Sequence, residues 1–269
     1  MQPRGRVLII AGSDSGGGAG VQADIKTVTV LGGYAASAIT AVTVQNTRGV
    51  SAVHPIPPEI VAAQARAVLE DIGADAVKLG MLGSRATLEA VADILEGAHG
   101  VPAVIDPVMA AKGGALLLER GALAAFKERL LGRAALLTPN APEAEVLTGL
   151  PVTSLDDQRR VAEALLAAGA AAVLMKGGHI AGERVIDLLV TPAGETAFET
   201  ERAKTRHTHG TGCTLASACA AGLAQGLPLA EAVARAWAYV QEAIARAPGF
   251  GQGQGPLDHA WPVRRDGRR

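Results

Sequence analysis

Aromatic residues are scarce, at 3% of 269 positions, which argues against the ring platforms that stack single-stranded nucleic acid. Neither charge is in excess. A formal net charge of -1 leaves no basic stripe for a nucleic-acid backbone and no polybasic arm for a membrane surface. Long hydrophobic runs are also missing. None approaches the roughly 20 residues that span a bilayer, and "VLIIAG" from Val7 is too short for a secretory signal core. The expected location is the cytoplasm. The two cysteines, Cys213 and Cys219, would lie on different faces of one helix, so no disulfide is expected. No paired histidine spacing accompanies them, which argues against zinc.

What the chain has is apolar residues, at 49%, with 33 glycines and 14 prolines. Short β-rich runs alternate with helical patterns. The strand-like runs are "RVLII", "SAITAVTVQN", "DAVKLG", "PAVIDPV", "AALLTPN", "AAVLMKGG", "RVIDLLV" and "ETAFET". Most are continuous apolar stretches, as in strands covered on both faces. Between them "PPEIVAAQARAVLEDI", "SRATLEAVADILEG" with Ser84 as N-cap, "SLDDQRRVAEALLAAG" and "LAEAVARAWAYVQEAIARA" repeat apolar residues at helical spacing. The order predicts an α/β fold: a doubly wound, mostly parallel central sheet flanked by helices. "RVIDLLV" and "ETAFET", joined by "TPAGE", predict a small antiparallel hairpin at a sheet edge. One domain is expected over residues 1–269, with its core at 6–259 and a solvated tail at 260–269.

In such sheets ligands bind beyond the carboxyl ends of the strands. Six groups stand there: Gly12-Ser13-Asp14, Gln45-Asn46, Gly80-Met81, Asp106-Pro107, Asn140 with Glu143, and Lys176-Gly177-Gly178. Each alone reads as loop capping; together they point to a pocket. The first glycine-rich loop, "AGSDSGGGAG", follows a strand and precedes a helix, yet it fits neither G-x-x-x-x-G-K-[ST] nor G-x-G-x-x-G. The second, "HGTGC", places Gly210, Thr211 and Gly212 at a helix start, where free backbone N–H groups and the helix dipole suit an anion. Cys213 stands at that start, so the dipole is expected to lower its thiol pKa. His207 and His209 are candidate orienters for a nucleophilic cysteine, although no motif joins them into a triad. Cys219 reads as a small core residue. Asp106 and Glu143 are hard oxygen donors suited to Mg²⁺, and "NAPE" also reads as a capping box of Asn140 and Glu143. Lys176 is placed to meet a phosphate. These are the parts of a phosphoryl-transfer site.

The stretches "AGSDSGGGAGVQADIKT", "TAVTVQNT", "VKLGML", "DPVMAAKGG", "TPNAPEAE", "KGGH", "HGTGCTLASA" and "GFGQGQGPLDH" run in order from residue 11 to residue 259. In them the chain resembles the ribokinase superfamily, and within it the hydroxymethylpyrimidine and phosphomethylpyrimidine kinases of thiamine biosynthesis. The resemblance implies a ribokinase-like fold and two successive ATP-dependent phosphorylations of 4-amino-5-hydroxymethyl-2-methylpyrimidine. It implies an anion hole at Gly210, Thr211 and Gly212, with Cys213 where sugar kinases carry an aspartate base. Mg²⁺ would lie near Asp106 and Glu143, and ATP near Lys176, Asn140 and Thr211. Gly12, Ala19, Asp24, Gln45, Met81 and Val108 would line the pyrimidine pocket. A glutamine amide offers the donor and acceptor that an aminopyrimidine needs. Val44 stands where the family pattern has alanine, which implies a modest change in pocket depth. "MAAKGGALL" from Met109 matches a flap. A thiamine-phosphate synthase fusion is not expected after "GPLDH", and a homodimer is. Pyridoxal kinase is the alternative, disfavoured by Gln45. A non-catalytic sensor would lack the anion hole or the acids, and a nicotinamide oxidoreductase would need the missing fingerprint.

Overall fold

The computed structural model describes residues 4–109, 119 and 121–264. Most of the "MAAKGGALL" flap and the end of the tail lie outside the described residues. In chain order the first half contains β1 (Arg6–Ala11), α1 (Gly20–Val30), β2 (Tyr34–Ile39), β3 (Ala41–Asn46), β4 (Gly49–Pro55), α2 (Pro58–Asp71), β5 (Ala76–Leu79), α3 (Arg85–Gly97) and β6 (Ala103–Ile105). A short α4 (Ala122–Ala125), continued by a π turn at Phe126–Leu130, leads to β7 (Ala134–Leu137), α5 (Ala141–Thr148), α6 (Leu155–Ala167) and β8 (Val173–Met175). The chain ends with β9 (Arg184–Thr191), β10 (Gly194–Glu201), α7 (Thr211–Ala224) and α8 (Leu229–Ala245).

Eight strands form one sheet in the order β10-β9-β8-β7-β6-β5-β1-β2. The pairs from β8 to β2 are parallel, and β9 and β10 close one edge as the expected antiparallel hairpin. Successive residues of a strand face opposite sides of the sheet, and β1 is apolar on both. Leu8 and Ile10 join one core with α2, α3, α5 and α6, while Val7, Ile9 and Ala11 join the other with α1, α7 and α8. Leu8, Ile9 and Ile10 are fully enclosed, which gives about 1.5–3 kcal/mol for each side chain. α3 starts where expected, with Ser84 Oγ accepting the Thr87 N–H at 3.1 Å.

"SAITAVTVQN" is not one strand. The chain leaves the main sheet at Thr40, whose N–H donates to Ala11 O at 3.0 Å and whose hydroxyl donates to Met81 O at 2.7 Å. Beyond it β3 pairs with β4 in a separate two-stranded antiparallel sheet. β4 has no counterpart among the expected strands, because its residues are almost all exposed and leave no apolar run.

The Gly-rich coil after α8 returns to the base of α7. His259 is buried there, with Nε2 3.0 Å from Thr214 Oγ1, and its carbonyl accepts the Tyr239 hydroxyl at 2.7 Å. Burial pushes the imidazole pKa down to about 4. A group whose pKa falls on folding gives stability that is complete above its unfolded value, about 6.5, and is lost as pH falls toward the folded value. His259 therefore makes the fold acid-sensitive between about pH 6.5 and 4, by roughly 3 kcal/mol. His259→Gln flattens this part of the stability profile in guanidinium titrations at stepped pH. An unchanged slope would mean that other groups carry the acid response.

Candidate active site

The two glycine-rich loops, some 190 residues apart in sequence, meet directly. Gly210 has φ +86° and caps α7, and a Cβ there would sit 1.7 Å from Gly18 O. Only glycine fits such a position. Asp14 organises the first loop: its carboxylate accepts the N–H groups of Gly16, Gly18 and Ala19 at 2.8, 3.1 and 2.8 Å. The same carboxylate bonds His209 Nε2 at 2.8 Å, just before the second loop. Burial alone would raise the Asp14 pKa, but His209 and the backbone N–H groups hold it below the ordinary carboxylate value.

Thr211, Gly212 and Cys213 form the first turn of α7, where N–H groups lack helical carbonyl partners; the Thr211 N–H makes a long 3.4 Å bond to Thr208 O, which leaves those of Gly212 and Cys213 to face a ligand. Lys176, after β8, and Asp106, after β6, stand against this turn. A Cβ on Gly212 would lie 3.1 Å from Lys176 Nζ and 3.4 Å from Asp106 Oδ2. Lys176 donates to Asp106 Oδ1 at 2.7 Å and lies 3.6 Å from Glu143 Oε2. Asn140 and Glu143 also form the capping box of α5, with reciprocal bonds of 2.8 and 2.9 Å. Burial, and Asp106 nearby, push Glu143 up to about 7 despite Lys176. Burial disfavours the Lys176 ammonium, but Asp106 and Glu143 outweigh it and hold Lys176 protonated. Two carboxylates thus share one ammonium beside a helix start.

Beyond β1 and β5, a Cβ on Gly12 would sit 3.1 Å from Met81 Sδ. Val108 lines a small apolar cavity with Pro107, Met109 and Phe126. The Gln45 backbone is tied to Ser15 Oγ at both N–H and carbonyl, whereas its side-chain amide faces His209 and Thr43. Val44 points to solvent, at 59% exposure. The structure places Asp24 beneath the site. It is wholly enclosed, with one oxygen on Lys78 Nζ at 2.8 Å and the other on Ser217 Oγ at 2.7 Å.

The expected lowering of the Cys213 pKa is reversed. Burial pushes the thiol up to about 11; Lys78 opposes this, and Asp24 and Asp106 add to it. The sequence places Cys213 at a helix start but does not reveal these surrounding acids. Cys219 is a buried core residue, and neither cysteine is in a disulfide. His207 Nδ1 accepts the Gly255 N–H at 3.2 Å, and His209 serves Asp14, so both imidazoles have other partners than a catalytic triad would require. Among the described residues no cluster of three or more His, Cys, Asp or Glu side chains could hold a metal on its own, and no helix is long and apolar enough to cross a membrane.

A model of the phosphomethylpyrimidine kinase family matches residues 14–258. The chain belongs to that family. Among curated relatives of this kinase family, it is 52% identical over 257 residues to the thiamine biosynthesis bifunctional protein ThiED of Geobacter sulfurreducens, covering 96% of this chain and 52% of that protein. It is 50% identical to the hydroxymethylpyrimidine/phosphomethylpyrimidine kinase of Rhizobium meliloti, covering 94% of this chain and 96% of the relative. Among solved structures, the phosphomethylpyrimidine kinase of Clostridium difficile is 42% identical, with a TM-score of 0.79 over 89% of this chain and 99% of that one. The pyridoxal kinase of Bacillus subtilis, solved as an ADP complex, is 33% identical, with a TM-score of 0.89 over 97% and 100% of the two chains. The ribokinase-like α/β fold expected from the motifs is thereby established.

Sequence reasoning missed three residues in this kinase. Asp14 carries no assigned role in the loop sequence, and His209 reads only as a partner for Cys213. Lys78 went unremarked, although a lone charge inside the apolar run "DAVKLG" was the available signal.

Proposed function

We propose that the protein transfers the terminal phosphoryl group of ATP to the hydroxymethyl oxygen of 4-amino-5-hydroxymethyl-2-methylpyrimidine, and then phosphorylates the monophosphate to the diphosphate, in thiamine biosynthesis. The observation that carries this reading is the seam between the loops. It sets a backbone anion site on α7 against Lys176, Asp106 and Glu143, in a chain of this family. Gly210, Thr211 and Gly212 receive the transferring phosphoryl group, with Lys176, Asn140 and Thr211 along the nucleotide. Asp106 and Glu143 carry one charge more than Lys176 neutralises when both are ionised, and their oxygens fit Mg²⁺, which binds through one or two carboxylates together with phosphates and water. When bound, it supplies charge neutralisation on the phosphate oxygens. Gln45 meets the aminopyrimidine edge, and Gly12, Ala19, Met81 and Val108 cover its faces. Asp24, expected at the pyrimidine, is instead a support beneath the pocket, since both its oxygens are taken by Lys78 and Ser217. A homodimer belongs to this reading, and Val42, Val44 and Val53 offer it exposed apolar surface on the β3–β4 hairpin.

Incubation with ATP, Mg²⁺ and the pyrimidine alcohol, followed by phosphorus NMR, should yield monophosphate and then diphosphate. Absence of both would remove the reading. Pyridoxal in the same assay tests the alternative; a tenfold higher kcat/KM for it, about 1.4 kcal/mol in transition-state binding, would replace the substrate. Cys213 faces the acceptor hydroxyl as a neutral thiol at rest, since its pKa is pushed up to about 11. In a loose transition state the hydroxyl proton leaves late, so its effect lies near or below the low end of the usual ~10²–10⁴-fold range for general bases. Cys213→Ser therefore lowers kcat by about tenfold to a hundredfold, with the KM for ATP within about twofold. A rise in that KM with kcat unchanged would make the thiol a structural group.

A further inference from the structure

We infer that His209 is a specificity-determining positioning residue: held by Asp14, it fixes which end of the Gln45 amide accepts and which donates. The inference rests on the reading that Gln45 meets the aminopyrimidine. Its premise is proton accounting around four side chains. A carboxylate only accepts, so the 2.8 Å contact with Asp14 Oδ2 places the proton on His209 Nε2. That same Nε2 lies 3.2 Å from Gln45 Nε2, which is also a donor. On the other side, the single Thr43 hydroxyl proton goes to Ser13 O at 2.8 Å. Thr43 Oγ1 therefore meets Gln45 Oε1, 3.3 Å away, as acceptor against acceptor. Both mismatches vanish together when the amide is turned by 180° about its last torsion, because amide oxygen and nitrogen are told apart by their partners. Oε1 then shares the His209 Nε2–H with Asp14 Oδ2 in a three-centre bond, and Nε2 donates to Thr43 Oγ1.

Each end of the amide is then engaged once. One lone pair of Oε1 and one N–H remain for a ligand. They match an exocyclic amine beside a ring nitrogen, the amine donating and the nitrogen accepting. His209 is well placed to enforce this choice, since the ring is packed on Gly18, where a Cβ would come within 2.6 Å of His209 Cδ2. With the imidazole gone, the amide loses its reason to prefer one orientation, and the pocket loses its preference for an amine over a group without N–H donors.

The test compares calorimetric binding of the aminopyrimidine alcohol with that of the same alcohol lacking the amino group. It uses the full chain, His209→Phe and His209→Gln, each first checked by thermal melting. The wild type should favour the amine. His209→Phe should cut that preference by about tenfold, the scale of one neutral hydrogen bond, with the KM for ATP within about twofold. His209→Gln, which keeps an N–H donor, should restore most of it. Equal weakening of both alcohols in His209→Phe, or a preference left intact, would overturn the inference. Failure of the wild type to bind the aminopyrimidine at all would overturn the substrate reading and the inference with it.

Discussion

Gly210→Ala lowers kcat/KM for phosphoryl transfer by more than about a thousandfold. The added Cβ would lie 1.7 Å from Gly18 O and 2.8 Å from Gly18 C. Both atoms are backbone, so no rotamer change relieves the contact and the two glycine-rich loops must part. Parting them moves the Thr211, Gly212 and Cys213 N–H groups away from Lys176 and Asp106. Loss of a single donor of this kind costs about 10²–10³ in rate, and a 1 Å misplacement alone about 10². The φ of +86° adds a strain of roughly 1–2 kcal/mol for any residue with a Cβ. Gly226 separates the two effects: it has φ +81°, yet a Cβ there would meet nothing within 4 Å. Gly226→Ala should lose only the strain of roughly 1–2 kcal/mol and keep its rate. Steady-state kinetics on the two variants check this, and a Gly210→Ala enzyme within tenfold of wild type would mean that the loop seam does not hold the anion site.

The parallel sheet was legible because its strands are apolar on both faces and its helices carry their own caps, such as Ser84 and Ser154. What was not legible depends on partners distant in sequence. Nothing local in "SAITAVTVQN" breaks the strand; the break comes from Ala11 O and Met81 O, which capture Thr40. The glycines of "HGTGC" and the acids after β6 and β7 could be found, since each follows a strand and carries its chemistry in its residue type. The Cys213 thiol could not be read correctly. A helix start is a local feature, but its enclosure, and the carboxylates of Asp24 and Asp106 that raise its pKa, arrive from other elements. The role of His209 was hidden for a related reason: Asp14 and Gln45, which give it meaning, lie 195 and 164 residues away.

Lys78→Met destabilises the fold by about 3–5 kcal/mol, the cost of leaving a buried charge without its partner. Lys78 lies in β5, an interior strand of the sheet, and it and Asp24 are fully enclosed. Their 2.8 Å contact joins the sheet to α1, and Ser217 Oγ binds the other Asp24 oxygen and brings in α7, one turn beyond Cys213. Burial works against the ammonium, but Asp24, with Asp106 nearby, holds it charged. In Lys78→Met, Asp24 escapes the penalty by taking a proton. Its folded pKa then rises further above the unfolded carboxylate value, so the defect is small below about pH 4 and grows as pH rises toward the new folded value. Guanidinium unfolding should therefore show a larger loss at pH 8 than at pH 5. Pairing the change with Asp24→Asn removes the stranded charge and keeps an acceptor for Ser217, so the double variant should recover most of the stability and lose the pH dependence. A loss under about 1 kcal/mol in Lys78→Met, or no recovery in the double variant, would show that the pair does not hold the strand and the two loop-bearing helices together.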